Sequence, residues 1–131
     1  MKMEEGKQYL GVDWGEKRIG LALADAETRL ALPFMTVTDL RSLLAIIEAE
    51  SIALVVVGSP RKMAGDEASN PLFLHFLKEL KSKSTVAVVT VDERLSSKAA
   101  DALAGSKRDK AGRDEIAATI FLQNYLDQEN K

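Results

Sequence analysis

Asp13, Glu93 and Asp114 are the side chains of this sequence best placed to do chemistry, because each falls at the end of a predicted element. Asp13 closes a predicted strand in Gly11-Val12-Asp13-Trp14-Gly15. Strand faces alternate, so its carboxylate shares a face with Tyr9 and Gly11, and Gly11 leaves room beside it. An aspartate bonding the backbone N–H groups of a turn has the same local pattern. Glu93 follows another strand in Val91-Asp92-Glu93-Arg94-Leu95-Ser96, where Arg94 can hold a carboxylate by charge-assisted hydrogen bonds. Asp92 is a rival for the same place, since neighbouring residues point opposite ways and the bend of the chain is not readable. Asp114 precedes Ala117, Ala118, Phe121, Leu122 and Tyr125 at helical spacing, which puts it on the stripe facing the core. An acid in a first helical turn also suits the helix dipole, and Glu115 would serve there equally well. A core-facing acid needs a partner, either a cation bound by the protein or a base such as Arg94 or Lys110.

Oxygen ligands from several carboxylates, with no cysteine in the chain, suit Mg²⁺ or Mn²⁺ better than zinc. Two such ions can clamp a phosphodiester, one helping to ionise water and the other stabilising the leaving oxygen. That chemistry needs no histidine base. The only histidine, His75, falls on the polar side of its predicted helix and is assigned no role.

The elements that must position these acids alternate between strand and helix. Strands are predicted at Tyr9–Asp13, Arg18–Ala24 and Leu30–Val37, the first two joined as a hairpin through Gly15-Glu16-Lys17. Pro33 marks the third as an edge or bulged strand. Thr38 or Asp39 caps a helix to about Glu50, with Leu40, Leu43, Leu44 and Ile47 on one face. Ala53–Val57 reads as a strand buried on both faces, ended by Gly58-Ser59-Pro60. Arg61–Ser69 is a polar loop. Asn70 and Pro71 then open a helix whose stripe is Leu72, Phe73, Phe76, Leu77 and Leu80. Val86–Val91 is the last strand, Ser96 or Ser97 caps a helix to Gly105, and a final helix runs from about Arg113 to Tyr125. This order predicts an α/β fold with a mixed five-stranded sheet flanked by helices and right-handed crossovers. Ligands of such sheets gather beyond the carboxyl ends of the strands, where Asp13, Ser59 and Glu93 fall.

At 131 residues the chain fits a single domain, spanning 1–131, with a buried core of its own. The absence of cysteine excludes disulfides and thiolate chemistry. The amino terminus lacks the apolar stretch of a signal peptide, and no apolar run is long enough for a bilayer, so a cytoplasmic location without membrane contact is expected. With 18 basic and 20 acidic residues the chain is not a general polyanion coat, so local charge matters more. The densest basic segment is Lys107-Arg108-Asp109-Lys110-Ala111-Gly112-Arg113, which leads into Asp114. No apolar stripe on an otherwise solvated face marks a dimer surface.

Four segments in this order resemble the YqgF or RuvX family, described as Holliday junction resolvases and as pre-16S ribosomal RNA nucleases. They are Gly11 to Ala22, Val56-Val57-Gly58-Ser59-Pro60 with Met63 and Gly65, Asp92-Glu93-Arg94-Leu95-Ser96-Ser97 with Ala99, and Asp114-Glu115-Ile116-Ala117-Ala118 leading to Leu122-Gln123-Asn124-Tyr125-Leu126. The resemblance implies a ribonuclease H-like fold, a cytoplasmic location and a metal-dependent nuclease with Asp13, Glu93 and Asp114 as its acids. The implied substrate is the 5′ end of pre-16S ribosomal RNA, with branched junction DNA as the older assignment and ribosome association as a further implication. Trp14 and the polar run Ser59-Pro60-Arg61-Lys62 depart from the family pattern. Arg18, Arg61, Lys62, Arg94, Lys107, Arg108, Lys110 and Arg113 are candidate phosphate contacts, although exposed basic residues commonly do no more than solvate a surface. Trp14 has two uses, stacking on a base or packing on the sheet. A binding module that keeps the fold without cleaving is the alternative class. An actin-like ATPase is a poor match, since such enzymes close two domains over nucleotide.

Overall fold

The computed structural model describes residues 7–59, 71–92 and 110–129. The chain forms strands β1 (Gln8–Trp14), β2 (Ile19–Asp25) and β3 (Ala31–Val37), then helix α1 (Leu40–Ala49) and β4 (Ile52–Ser59). Helix α2 (Pro71–Lys83), β5 (Ala87–Asp92) and helix α3 (Lys110–Glu129) follow. The sheet order is β3-β2-β1-β4-β5. The hairpin pairs β1–β2 and β2–β3 are antiparallel, whereas β1–β4 and β4–β5 are parallel. The expected mixed five-stranded α/β sheet is therefore present.

Alternation divides the sheet into two apolar faces. Leu10, Val12, Leu21, Val55 and Val57 pack with Leu43 and Ile47 of α1 and with Phe73, Phe76 and Leu80 of α2. Tyr9, Ala22, Ala24 and Val56 pack with Ala118, Phe121, Leu122 and Leu126 of α3. Val55, Val56 and Val57 are fully buried, which explains the unalternating apolar run of β4.

Local signals account for most element ends. Asp39 caps α1 by accepting the Ser42 N–H at 2.8 Å, and this hydrogen bond holds its carboxyl below the usual carboxylate range. The other end of α1 has no glycine to announce it. Ser51 takes the left-handed conformation instead, with φ 55°, while the Glu50 N–H donates to the Ile46 carbonyl. The Ser51 carbonyl accepts from the Gln8 N–H at 3.1 Å, tying this corner to the start of β1.

Three expectations need correction and one is met. Leu72 is 54% exposed rather than part of the α2 stripe, because Phe73, Phe76 and Leu80 already complete a face at spacings of three and four. Helix α3 begins at Lys110, not near Arg113, so the later part of the basic segment is helical and Gly112 does not break it. The edge or bulged strand expected at Pro33 is present: β3 is an outer strand, and its pairing with β2 shifts register between Leu21 and Ala22, leaving Phe34 as the extra residue beside Pro33. Leu32 and Met35 of this edge strand are exposed, as is Leu30 just before it, so an apolar strip does lie on the surface. The expected helix between Ser96 and Gly105, the Arg61–Ser69 loop and the Asn70 cap lie outside the described residues.

Candidate active site

The strand registers place Asp13 in a defined row across the sheet. Asp13 pairs with Gly20 on β2 and Gly58 on β4, Gly20 pairs with Thr36 on β3, and Gly58 pairs with Val91 on β5. Reading across, the row is Thr36, Gly20, Asp13, Gly58, Val91. Both strand neighbours of Asp13 are glycines, so no side chain from β2 or β4 stands beside its carboxylate on that row. Asp13 is 9% exposed and is the one polar residue buried with the core among the described residues. Strand alternation puts it on the face of Tyr9, which packs with α3. A carboxylate held this deeply must be balanced by hydrogen bonds or positive charge.

Helix α3 lies over the same face and runs antiparallel to β1, as three contacts along its length show. Near its far end the Arg29 guanidinium donates to the Leu126 carbonyl at 3.2 Å and sits 5.9 Å from the centroid of the Tyr9 ring. In the middle, a Cβ on Gly11 would lie 2.9 Å from both the Ala118 carbonyl oxygen and Leu122 Cβ. The space at Gly11 is thus filled by the helix and does not serve as room beside Asp13. The small Ala118 and the missing side chain of Gly11 together allow this close crossing. Toward its start, Glu115 Oε2 accepts the Thr36 hydroxyl at 2.8 Å, and Thr36 stands on the row of Asp13. The backbone of Asp114 is therefore helical, one residue before a side chain fixed to that row. Its own side chain lies outside the described residues.

Of the proposed triad, only the Asp13 side chain is described. Glu93 lies outside the described residues, as do Arg61, Lys62, Arg94, Lys107 and Arg108. Lys110 and Arg113 belong to the first turn of α3 by backbone. Val89 and Val91 pack in the α3-side cluster, so odd-numbered residues of β5 carry the face shared with Asp13. Among the described residues, no three carboxylate or imidazole side chains come together as a set that could hold a metal ion. Arg18 is half-buried where β2 begins and has an interaction of its own. His75 is exposed on α2, as expected. Trp14 packs edge-on against Phe73 at 5.6 Å and lies 6.1 Å from Phe76, which is the packing use rather than base stacking.

Residues that sequence reasoning missed are those that seat α3. Gln123 Oε1 accepts the Ala31 N–H at 2.8 Å while its Nε2 donates to the Arg29 carbonyl at 3.0 Å. Arg29 itself takes φ 56° after the Asp25 turn, in which the carboxylate accepts from Glu27 and Thr28 N–H. The polar position of Gln123, set between the buried Leu122 and Leu126, was the one available signal of this latch.

Comparison with known proteins adds independent findings. A family model described as "RuvX: Holliday junction resolvase" matches residues 7–128. A protein of Roseiflexus sp. (strain RS-1), named "Putative pre-16S rRNA nuclease", is 34% identical, with 98% of this chain and 99% of that protein covered. A Chloroflexus aurantiacus protein of the same name is 35% identical over 90% of this chain and 85% of its own. Among solved structures, T. thermophilus RuvC with a Holliday junction substrate superposes with TM-score 0.59 at 14% identity, covering 94% of this chain and 95% of that one. The Fowlpox virus resolvase with junction DNA gives TM-score 0.56 at 17% identity, covering 95% and 99%. These structural likenesses show that the fold is that of the RuvC-like, ribonuclease H-type resolvases.

Proposed function

The chain belongs to the RuvX family of Holliday junction resolvases, and from that membership together with the site geometry we propose that it is a metal-dependent nuclease acting on structured RNA. The observation that carries this reading is the buried Asp13 carboxylate on a glycine-flanked row, with the first turns of α3 held over the same row. Asp13, Glu93 and Asp114 would together hold Mg²⁺ or Mn²⁺. The fit is favourable because Asp13 offers a hard oxygen donor on the face of the sheet that α3 covers. When bound, such ions supply charge stabilisation for the phosphate and a more acidic water. The protein's own part is positional: β1 supplies a buried acid on the face that α3 covers, and the backbone of Asp114 lies in the first turns of that helix.

The names of the relatives favour pre-16S ribosomal RNA as substrate; we read the chain as one domain over 1–131 that acts at the 5′ end of that RNA in a cytoplasmic, ribosome-associated role. Junction DNA is the second reading, favoured by the family description. Among the described residues, no helix is long and apolar enough to cross a membrane. Purified protein with Mg²⁺ or Mn²⁺, given precursor ribosomal RNA and a four-way DNA junction side by side, should cut the RNA at the mature 5′ end and the junction more slowly. Cleavage of neither substrate, with binding retained, would make the protein a non-catalytic module.

The proposed nucleic-acid contacts Arg18, Arg61, Lys62, Arg94, Lys107, Arg108, Lys110 and Arg113 all lie between Asp13 and Asp114 in sequence. Lys110 and Arg113 occupy a helix start, where positive side chains oppose the dipole unless an anion lies nearby. Replacing Lys107, Arg108, Lys110 and Arg113 together by glutamine should weaken binding and flatten its dependence on salt. The log–log slope should fall by roughly 0.7 to 0.9 for each phosphate that is no longer neutralised. An unchanged slope, measured by titration across salt concentrations, would assign these charges to solvent.

A further inference from the structure

The edge strand β3 does more than complete the sheet: it ends beside the active row and grips α3 there. We propose that Thr36 is a positioning residue, which through Glu115 fixes the first turns of α3 at the level of Asp13 and so sets where Asp114 stands. This inference rests on the reading of Asp13 and Asp114 as metal ligands.

Strand register puts the tether and the acid on one line. Thr36 pairs with Gly20, which pairs with Asp13, so the hydroxyl and the carboxylate share a row across β3, β2 and β1. That row is about 10 Å long at the usual strand spacing. Thr36 donates to Glu115 Oε2 at 2.8 Å from a half-buried site, and the bond is charge-assisted when the carboxylate is ionised. Glu115 is also locked from the helix side, since its carbonyl accepts the Thr119 hydroxyl at 2.8 Å. At its far end α3 is held by Gln123 and by Arg29. Tyr9, Ala22 and Ala24 pack against Ala118, Phe121 and Leu122, and Gly11 sets the close approach of helix to strand, so the line of α3 is fixed there. Thr36–Glu115 adds a polar contact near the start of the helix, one residue from Asp114, where it restrains the roll of the helix about its axis. Because adjacent helical residues share a rigid backbone, orienting Glu115 orients Asp114.

The test compares Thr36→Val, Thr36→Ser and Asp114→Asn, reading the rise in melting temperature with added Mn²⁺ alongside Mn²⁺-dependent cleavage. Valine removes the hydroxyl at nearly constant shape, whereas serine keeps it. Thr36→Val should need about tenfold more Mn²⁺ for the same thermal shift and for half-maximal cleavage, in line with losses seen when groups that orient metal ligands are removed. Substrate KM at saturating Mn²⁺ should stay as in the wild type, and Thr36→Ser should restore the metal response. If Asp114→Asn loses the Mn²⁺ response while Thr36→Val keeps it in full, the positioning role is overturned and Thr36 is a structural tether only. If Asp114→Asn itself responds to Mn²⁺ like the wild type, the ligand assignment fails and takes this inference with it.

Discussion

Asp13→Asn is expected to reduce cleavage by more than about a hundredfold while the protein stays folded and still binds nucleic acid. Loss of groups that merely orient a metal ligand costs about 10- to 100-fold, so loss of a charged ligand itself should exceed that range. Asparagine keeps the volume and one oxygen acceptor at a site that is 9% exposed, so the packing of β1 against α3 is preserved. Stability gives an independent reading. In chelator, the three acids gathered as proposed would repel one another, so the variant should melt higher than wild type near neutral pH. With Mg²⁺ or Mn²⁺ the wild type should gain stability according to its affinity for the ion, and the variant should gain less. Four melting temperatures and one cleavage rate settle the matter. A variant that melts lower in chelator, responds to metal like the wild type and cuts at full rate would make Asp13 a structural residue.

Gly11→Val should be among the most destabilising single substitutions in the described part of the chain, costing about 3 kcal/mol, the upper end of ordinary overpacking. The new Cβ would stand 2.9 Å from the Ala118 carbonyl oxygen and 2.9 Å from Leu122 Cβ. Trimming Leu122 to alanine would remove only the longer contact, to Cδ2 at 3.3 Å, because alanine keeps the Cβ, and the Ala118 carbonyl is helix backbone that no rotamer change moves. The helix must therefore lift from the sheet, loosening the cluster of Phe121, Leu122 and Leu126. Denaturant titration should show the loss, and adding Leu122→Ala should deepen it, because that change keeps both 2.9 Å contacts and leaves a cavity at a fully buried leucine. Recovery of stability in that double variant would mean that the backbone approach is not the constraint. Because α3 carries Asp114, activity in the folded fraction of Gly11→Val should fall as well.

Much of this arrangement is legible in the residues. The period of two in β1 is enough to put Asp13 on the face of Tyr9, and the spacing of three and four in α3 is enough to pick out Ala118, Phe121 and Leu122 as the stripe that covers that face. Asp39 and Pro71 mark helix starts because capping and a missing N–H act locally. What cannot be read is whatever depends on register between distant segments. Thr36 sits in an ordinary edge strand and Glu115 beside a more conspicuous acid; only the pairing of β3 through β2 to β1 brings them to one line. The function of Gly11 escapes for the same reason, since a local reading sees an empty Cβ but not the helix that fills it. Ser51 shows a different limit, because a left-handed helix end is reached without the glycine that usually signals it. The exposed side of Leu72 follows from tertiary choice between two near-equivalent stripes.

The irregular pairing at Pro33 and Phe34 also bears on how this protein behaves in a crowded solution. An outer strand flanked by Leu30, Leu32 and Met35, all exposed, has the composition of a seed for polymerisation. A straight strand of that kind would offer a continuous row of donors and acceptors onto which another copy could zip. Proline offers no donor, and the extra Phe34 puts a kink and added twist beside it, so an incoming strand would lose register within a few residues. The sheet can therefore keep an oily margin and still stop at five strands, its growth arrested by the shape of its own border.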